Sequence, residues 1–198
     1  MTDVLHDVRA HLRAHFADIE PESASVTFLG AEPIDVMRFA FGRRELTHYV
    51  SVGCSRHPMT DPTHTVGDPL RGPRAEVVLT QRDAGPVRGL GRSLAVLAAT
   101  PAVEGVVLVP DALIDLGSPL WSSPRRRVPF SAVLLGRSDI PDLVLSPPLD
   151  PVTFLSATPI TATEAAWVRL KGAEAMRQAW CDDGVDVLDP NRAAAQPR

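Results

Sequence analysis

The chain has 198 residues, 44% of them hydrophobic and 22% charged, with a formal net charge of −4. This balance is typical of one folded globular domain, and the negative charge argues against a nucleic-acid partner, which requires a basic surface. No stretch approaches the roughly 18 apolar residues of a membrane span, and the N-terminus lacks a secretory signal, so we expect a cytoplasmic protein without a membrane partner. Two isolated cysteines, Cys54 and Cys181, favour reduced thiols.

The first third of the chain predicts a helix followed by an antiparallel meander. Apolar residues recur at helical spacing over residues 3–17, which predicts an amphipathic helix with one buried stripe. Segments 24–29, 34–41 and 46–52 are rich in β-branched and aromatic residues and lie close enough to pair as strands. From residue 53 to residue 73 the apolar periodicity stops, which indicates a long functional or mobile loop.

The middle of the chain predicts a strand at 75–80 and a helix at 90–99 that ends before Pro101. The apolar run 103–109 predicts a strand buried on both faces. Further strands are expected at 130–135 and 152–155.

A capping box gives the clearest local signal near the C-terminus. Thr161 is followed three residues later by Glu164, which predicts the start of a helix. Gly172 separates this helix from a second one at 173–182. We therefore expect one α+β domain over residues 1–190. Residues 191–198 offer nothing to bury and are expected to form a disordered tail.

The loop after the third strand contains the ingredients of a nucleophilic site. Cys54 lies three residues from His57, and Asp61 is positioned to orient the imidazole. Partners in catalytic sites are normally brought together by the fold instead of by neighbouring positions on one loop. We therefore favour the alternative, in which Cys54 is a small buried side chain.

Histidines suggest a metal site only weakly. His11 and His15 share a helix face, and His48, His57 and His64 lie on the following strand and loop, but no third helical ligand accompanies the first pair. We interpret them as surface or hydrogen-bonded histidines. No phosphate-binding glycine loop or nucleophile elbow occurs, and we expect no cofactor and no metal.

Two segments resemble a known family. The first is Tyr-Val-Ser-Val-Gly-Cys-Ser at 49–55 with Pro58-Met59 and then Arg-Ala-Glu-Val-Val-Leu at 74–79. The second is Pro-Ile-Thr-Ala-Thr-Glu at 159–164, with paired helices and a following Asp-Pro-Asn-Arg at 189–192. Together they resemble the suppressor of fused domain in its compact bacterial form, over residues 26–192.

The resemblance implies a mixed, mainly antiparallel sheet flanked by helices, no enzymatic activity, and binding of another polypeptide. Animal members are longer and clamp a short peptide with the help of a second domain, which this sequence lacks. Bacterial relatives resemble immunity proteins, which implies a toxin-neutralising or regulatory role. A net acidic domain suits a basic partner, because complementary charge speeds encounter.

We therefore predict a cytoplasmic protein-binding module that makes contact through the loops at 53–73 and 111–127. An aromatic residue in an irregular segment, such as Trp121, is either a core plug or an interface anchor. The nearby arginines could bind an acidic partner, because guanidinium groups pair well with carboxylates. The rival hypothesis is a hydrolase or transferase that uses Cys54 and His57. The candidate contact residues are Arg56, His57, Met59, Asp61, Trp121, Arg125 and Arg126.

Overall fold

The computed structural model describes residues 3–17, 19–41, 46–60, 68–82, 87–124 and 127–195. In these ranges the chain forms seven strands, four α-helices and one short 3₁₀ turn at Cys54–Arg56. In chain order the elements are α1 (Val4–His15), β1 (Glu22–Phe28), β2 (Ala31–Ala40), β3 (Leu46–Val52), β4 (Arg74–Arg82), α2 (Leu90–Glu104), β5 (Leu113–Asp115), β6 (Phe130–Arg137), β7 (Val152–Thr161), α3 (Ala162–Lys171) and α4 (Ala173–Asp182).

The strands form one sheet in the order β1-β2-β3-β4-β7-β6-β5. Strands β1 to β4 are an antiparallel meander, as the sequence predicts. Strand β7 pairs in parallel with β4, β6 pairs antiparallel with β7, and β5 pairs antiparallel with β6. The predicted fold class, a mixed and mainly antiparallel sheet flanked by helices in one domain, is confirmed.

Helices cover both faces of the sheet, because alternate strand residues point to opposite sides. On one face α2 buries Leu94 and Leu97 in a core that includes Val77 of β4. On the other face α1 packs against β2 and β3. Helices α3 and α4 cover β6 and β7 on that same side. None of the helices within the described ranges combines the length and apolar content needed to cross a bilayer.

Helix α2 is longer than the sequence predicts, and the expected strand at 103–109 does not form. The helix runs through Pro101 to Glu104. Proline has no backbone N–H, so Pro101 cannot donate to the carbonyl oxygen of Leu97 four residues earlier. The Thr100 hydroxyl donates to that oxygen instead, at 2.8 Å. The prediction of a strand buried on both faces was therefore wrong, and Val103 is 64% exposed.

The predicted capping box is present at the start of α3. The Thr161 hydroxyl accepts a hydrogen bond from the Glu164 backbone N–H at 3.2 Å, and the Thr161 N–H donates to the Glu164 carboxylate at 2.8 Å. Gly172 separates α3 from α4 as expected.

Residues 191–195 depart from the expected disordered tail, whereas 196–198 lie outside the described residues. The Arg192 guanidinium donates to both carboxylate oxygens of Glu164, at 2.7 and 3.0 Å, and stacks over Phe130 and Trp180. The Ala195 N–H donates to the same carboxylate at 3.1 Å. A polar contact, invisible to hydrophobic patterning, thus holds this segment against α3 and α4.

Breaking the Glu164–Arg192 pair is expected to destabilise the fold. In Arg192→Met the Glu164 carboxylate, fully buried, loses its charged partner. We expect the free energy of unfolding to fall by about 3–5 kcal/mol in urea denaturation at neutral pH. The control is Arg169→Met, which breaks an exposed pair with Asp115 and should cost less than about 1 kcal/mol. Equal losses would contradict this role.

The stabilisation from Glu164 is also expected to depend on pH. Burial by itself raises the pKa of Glu164, but hydrogen bonds from Arg192, Thr161, Trp180 and Ala195 outweigh it and lower the pKa below the ordinary 4.5. The carboxylate therefore stabilises the fold fully above pH 4.5, and this stabilisation is lost as the pH falls through the folded-state pKa. The stability gap between wild type and Glu164→Gln should shrink on acidification. A gap that widens would contradict this.

Candidate functional site

The 3₁₀ turn Cys54–Arg56, where the sequence places its candidate nucleophile, is built on a buried carboxylate. Glu76 is 0% exposed, and one of its oxygens accepts hydrogen bonds from the Gly53 N–H at 2.8 Å and from the Ser55 N–H and hydroxyl at 3.0 and 2.6 Å. The other oxygen accepts from the Ser51 hydroxyl at 2.5 Å. Burial raises the pKa of Glu76, although these hydrogen bonds oppose the rise.

A buried arginine binds the same turn through its carbonyl groups. The Arg74 guanidinium donates to the backbone oxygens of Ser55 and Arg56, at 2.8 and 2.9 Å, and to that of Leu70 at 3.2 Å. Arg74 and Glu76 are two residues apart on β4 and so share a face of the strand. One therefore binds the acceptors of the turn while the other binds its donors.

Glycine is required at the entrance of this turn. Gly53 has a φ of 145°, and a Cβ there would lie 2.9 Å from the Ile34 Cδ1 atom. A side chain at this position would clash with β2 as well as strain the backbone. The Gly-x-Ser sequence is thus explained by the fold of the turn.

The two groups of the cysteine hypothesis occupy different environments. Burial raises the pKa of the Cys54 thiol well above its usual value, and the nearby Glu76 charge adds to this. The His57 side chain is instead 74% exposed, with its Nε2 atom 2.9 Å from the Glu32 carboxylate. A protonated, buried thiol is a poor nucleophile. Asp61, the expected orienter, lies outside the described residues.

Only part of the loop at 53–73 presents its predicted contact residues to solvent. Arg56 pairs with Glu32 at 3.2 Å and donates to the Pro33 carbonyl at 3.1 Å, beside His57. Met59 is 5% exposed, and its sulfur accepts the Leu108 N–H at 3.3 Å, so it belongs to the core below the loop.

The histidines bind neighbouring groups of the fold instead of one another. His11 Nε2 lies 2.8 Å from the Pro141 carbonyl oxygen, and His48 Nδ1 lies 2.9 Å from the Thr80 hydroxyl. Burial lowers the pKa of His48, and the nearby His15 lowers it further. Within the described ranges no group of three or more potential metal ligands occurs, and His64 lies outside them.

A groove with a volume of about 560 Å³ lies between the start of α2 and the segment 116–128. Trp121 forms part of its wall and is itself 7% exposed, with its ring 5.3 Å from that of Phe130. Trp121 is thus a core plug that also lines the groove. The Ser122 N–H donates to the Arg88 carbonyl at 3.0 Å, which ties the two walls together.

Positive charge surrounds this groove. Arg88, Arg92 and Arg127 line it and are exposed, and none of them has an ion pair with any residue that the structure describes. No carboxylate is among the described residues that line the groove, which are Arg88, Gly89, Arg92, Ser93, Val96, Leu116, Ser118, Pro119, Leu120, Trp121, Ser122, Ser123, Arg127 and Val128. Arg125 and Arg126 lie outside the described residues.

The sequence predicts one wall of the groove but not the other. Trp121 belongs to the predicted contact loop at 111–127. Arg88, which precedes the N-cap Gly89, and Arg92, in the first turn of α2, join it only through the fold. Arg56 and His57 are not among the described residues that line this groove.

Comparison with known proteins agrees with this architecture. A family model described as Suppressor of fused protein (SUFU) matches residues 30–193. The chain therefore belongs to the suppressor of fused protein family, and the predicted resemblance is confirmed. Among curated proteins none matches the chain.

Three solved structures share the fold. The putative SUFU homolog from Neisseria gonorrhoeae FA 1090 has a TM-score of 0.70 and 18% identity, covering 99% of this chain and 98% of that one. The Sufu–Fu complex has a TM-score of 0.67 and 13% identity, with 96% and 91% coverage. Drosophila Suppressor of Fused has a TM-score of 0.70 and 14% identity, covering 98% of this chain but 51% of that one.

Alkylation should separate the two thiols. We expect iodoacetamide to modify Cys54 in the folded protein at least roughly tenfold more slowly than the exposed Cys181, because a buried thiol reacts only after local opening. Mass spectrometry of tryptic peptides measures both rates, and Cys181→Ser isolates the Cys54 signal. Fast modification of Cys54 would revive the cysteine-dependent mechanism.

Removing the Glu76 carboxylate should destabilise the whole turn. Glu76→Ala leaves the donors of Ser51, Gly53 and Ser55 buried without an acceptor, at a cost of roughly 1–3 kcal/mol for each group. We expect a loss of more than about 3 kcal/mol in chemical denaturation. Glu32→Ala removes an exposed carboxylate beside the same turn and is the matched control, with an expected loss below about 1 kcal/mol.

Proposed function

We propose that this protein is a polypeptide-binding module that acts by binding a partner protein and not by catalysing a reaction. The observation that carries the proposal is the preformed groove at the start of α2. Its volume falls within the roughly 300–1,000 Å³ typical of binding pockets, and its floor is fixed by the packing of Trp121 on Phe130.

The composition of the groove supports a protein partner. Tryptophan and arginine are the residues that most often dominate the binding energy of protein interfaces. Here Trp121 and Val96 supply apolar surface, and Arg88, Arg92 and Arg127 supply a polar rim. An apolar centre within a polar rim is the usual anatomy of such interfaces.

The cysteine site does not favour the enzymatic alternative. Cys54 is buried and protonated, whereas His57 faces solvent and binds Glu32. The Sufu–Fu complex shows a related fold bound to another polypeptide. By extension we propose that this chain is a cytoplasmic regulatory or toxin-neutralising partner.

Of the predicted contact residues, Arg56 and His57 remain proposed as a secondary contact surface, together with Asp61 of the same loop. Arg125 and Arg126, which immediately precede Arg127 in sequence, also remain proposed as contact residues for the partner. Met59 is buried and is proposed to support these surfaces from below, whereas Trp121, although mostly buried, lines the groove itself.

Affinity capture with matched variants tests the proposal. Val96 lines the groove and is 37% exposed, whereas Val103 lies on the same helix, is 64% exposed and is not a lining residue. We expect wild type and Val103→Glu to retain one stoichiometric polypeptide from native lysate, and Val96→Glu to lose it. The purified hit should then bind wild type in calorimetry with at least roughly tenfold higher affinity than Val96→Glu.

Thermal unfolding of both variants shows whether the fold is intact, because each replaces an exposed valine. Recovery of no stoichiometric polypeptide would contradict the binding function. Equal capture by Val96→Glu would contradict the groove as the binding surface.

A further inference from the structure

We propose that the groove between α2 and the segment 116–128 binds an extended acidic segment of the partner that carries an apolar anchor residue. This inference rests on the proposed binding function and adds the chemistry of the ligand. In this arrangement the carboxylates of the partner segment bind the arginines of the rim. The apolar side chain of the segment packs on the surface formed by Val96, Leu116 and Trp121.

Positive charge stands on both walls of the groove. Arg88 and Arg92 belong to the α2 wall, and Arg127 belongs to the opposite one. An extended chain lying between the walls would therefore meet guanidinium groups on both sides. Guanidinium binds carboxylate with two parallel charge-assisted hydrogen bonds, which makes arginine the preferred partner of acidic side chains.

Some arginines elsewhere on the surface already have carboxylate partners. Arg82 pairs with Asp186 and Arg169 pairs with Asp115, both at 2.8 Å. The second pair matters for the groove, because Asp115 immediately precedes the lining residue Leu116. Its carboxylate is engaged by Arg169 and by the Gly117 N–H at 3.0 Å. Among the described residues, no carboxylate forms an ion pair with Arg88, Arg92 or Arg127, and we therefore assign an external anion to them.

The start of α2 adds to the positive potential. Its N-cap is Gly89, no side chain caps the first turn, and that turn contains no acidic residue. The unbonded N–H groups and the helix dipole attract negative charge at such a position. Because Gly89 itself lines the groove, this end of the helix faces the same ligand.

The apolar surface distinguishes a peptide from a nucleic acid. Phosphate binding alone does not use Val96 or Leu116, and the chain as a whole carries a net charge of −4, which repels a polyanion beyond the groove. A short segment with both acidic and apolar residues would contact the arginines of the lining as well as its apolar residues. The net negative charge of the chain suggests a basic partner, whereas the positive charge of the groove predicts an acidic ligand.

Selection from a phage-displayed library of random dodecapeptides tests this inference without knowledge of the natural ligand. The bait proteins are wild type, Arg92→Glu and Arg13→Glu. Arg13 is an exposed arginine on α1, across the sheet from α2, so the control makes the same change of net charge away from the groove. Circular dichroism melting shows whether each bait is folded.

We expect wild type and Arg13→Glu to enrich peptides with several Asp or Glu residues around one aromatic or aliphatic residue. A fluorescein-labelled peptide of the consensus sequence should bind Arg92→Glu at least roughly tenfold more weakly in anisotropy titrations. Its affinity for wild type should also fall as sodium chloride is raised, because screening weakens exposed ion pairs. Val96→Ser, which removes apolar surface without adding charge, should also weaken binding, and this change reports the apolar anchor.

Three results would overturn the inference: no acidic enrichment, equal binding by Arg92→Glu, or tighter groove binding of a single-stranded DNA oligonucleotide than of the consensus peptide. Binding of the captured native partner to the variants distinguishes a failure of this inference from a failure of the proposed function. If that partner binds Arg92→Glu normally but is lost with Val96→Glu, the binding module stands and the acidic ligand is wrong. If no partner is captured by any bait, the function itself fails.

Discussion

The buried carboxylate of Glu76 is the constraint on which the surface beside β3 and β4 depends. A fully desolvated acidic group is tolerated because hydrogen bonds from Ser51, Gly53 and Ser55 replace its water. Arg74 completes the arrangement by binding the carbonyl side of the same turn. The chain leaving β3 therefore has a single path, which buries Cys54. The turn at Cys54–Arg56, which resembles a reactive loop in sequence, is a structural element held by hydrogen bonds to Glu76 and Arg74.

Local patterns identified most elements because their physical signals are local. Helical periodicity defined α1, and the capping box gave the start of α3. The failures occurred where a distant or compensating group decides the outcome. Pro101 does not end α2 because the Thr100 hydroxyl replaces the missing donor. The segment after Asn191 is ordered because Arg192 reaches Glu164 far back in the chain.

The candidate site was predictable in part for the same reason. Trp121 stands out in sequence as an aromatic residue within an irregular segment, but the arginines facing it come from the start of another element. Their meeting requires α2 to lie across the sheet beside the segment 116–128, which no short motif encodes. The sequence also suggested a basic partner from net charge, whereas the groove concentrates positive charge. An average over the whole surface hides such a reversal.

The parallel pairing of β4 with β7 has a consequence for the order in which the molecule assembles. Strands β1 to β3 pair with sequence neighbours across short connections, and β4 joins them after the longer loop at 53–73. The β4–β7 ladder, by contrast, joins Arg74 to Val152 across α2, β5 and β6. Closing so large a loop costs entropy before any contact compensates for it, and folding slows as contacts become less local. We therefore expect this ladder, at the centre of the finished sheet, to form late and to limit the rate of folding.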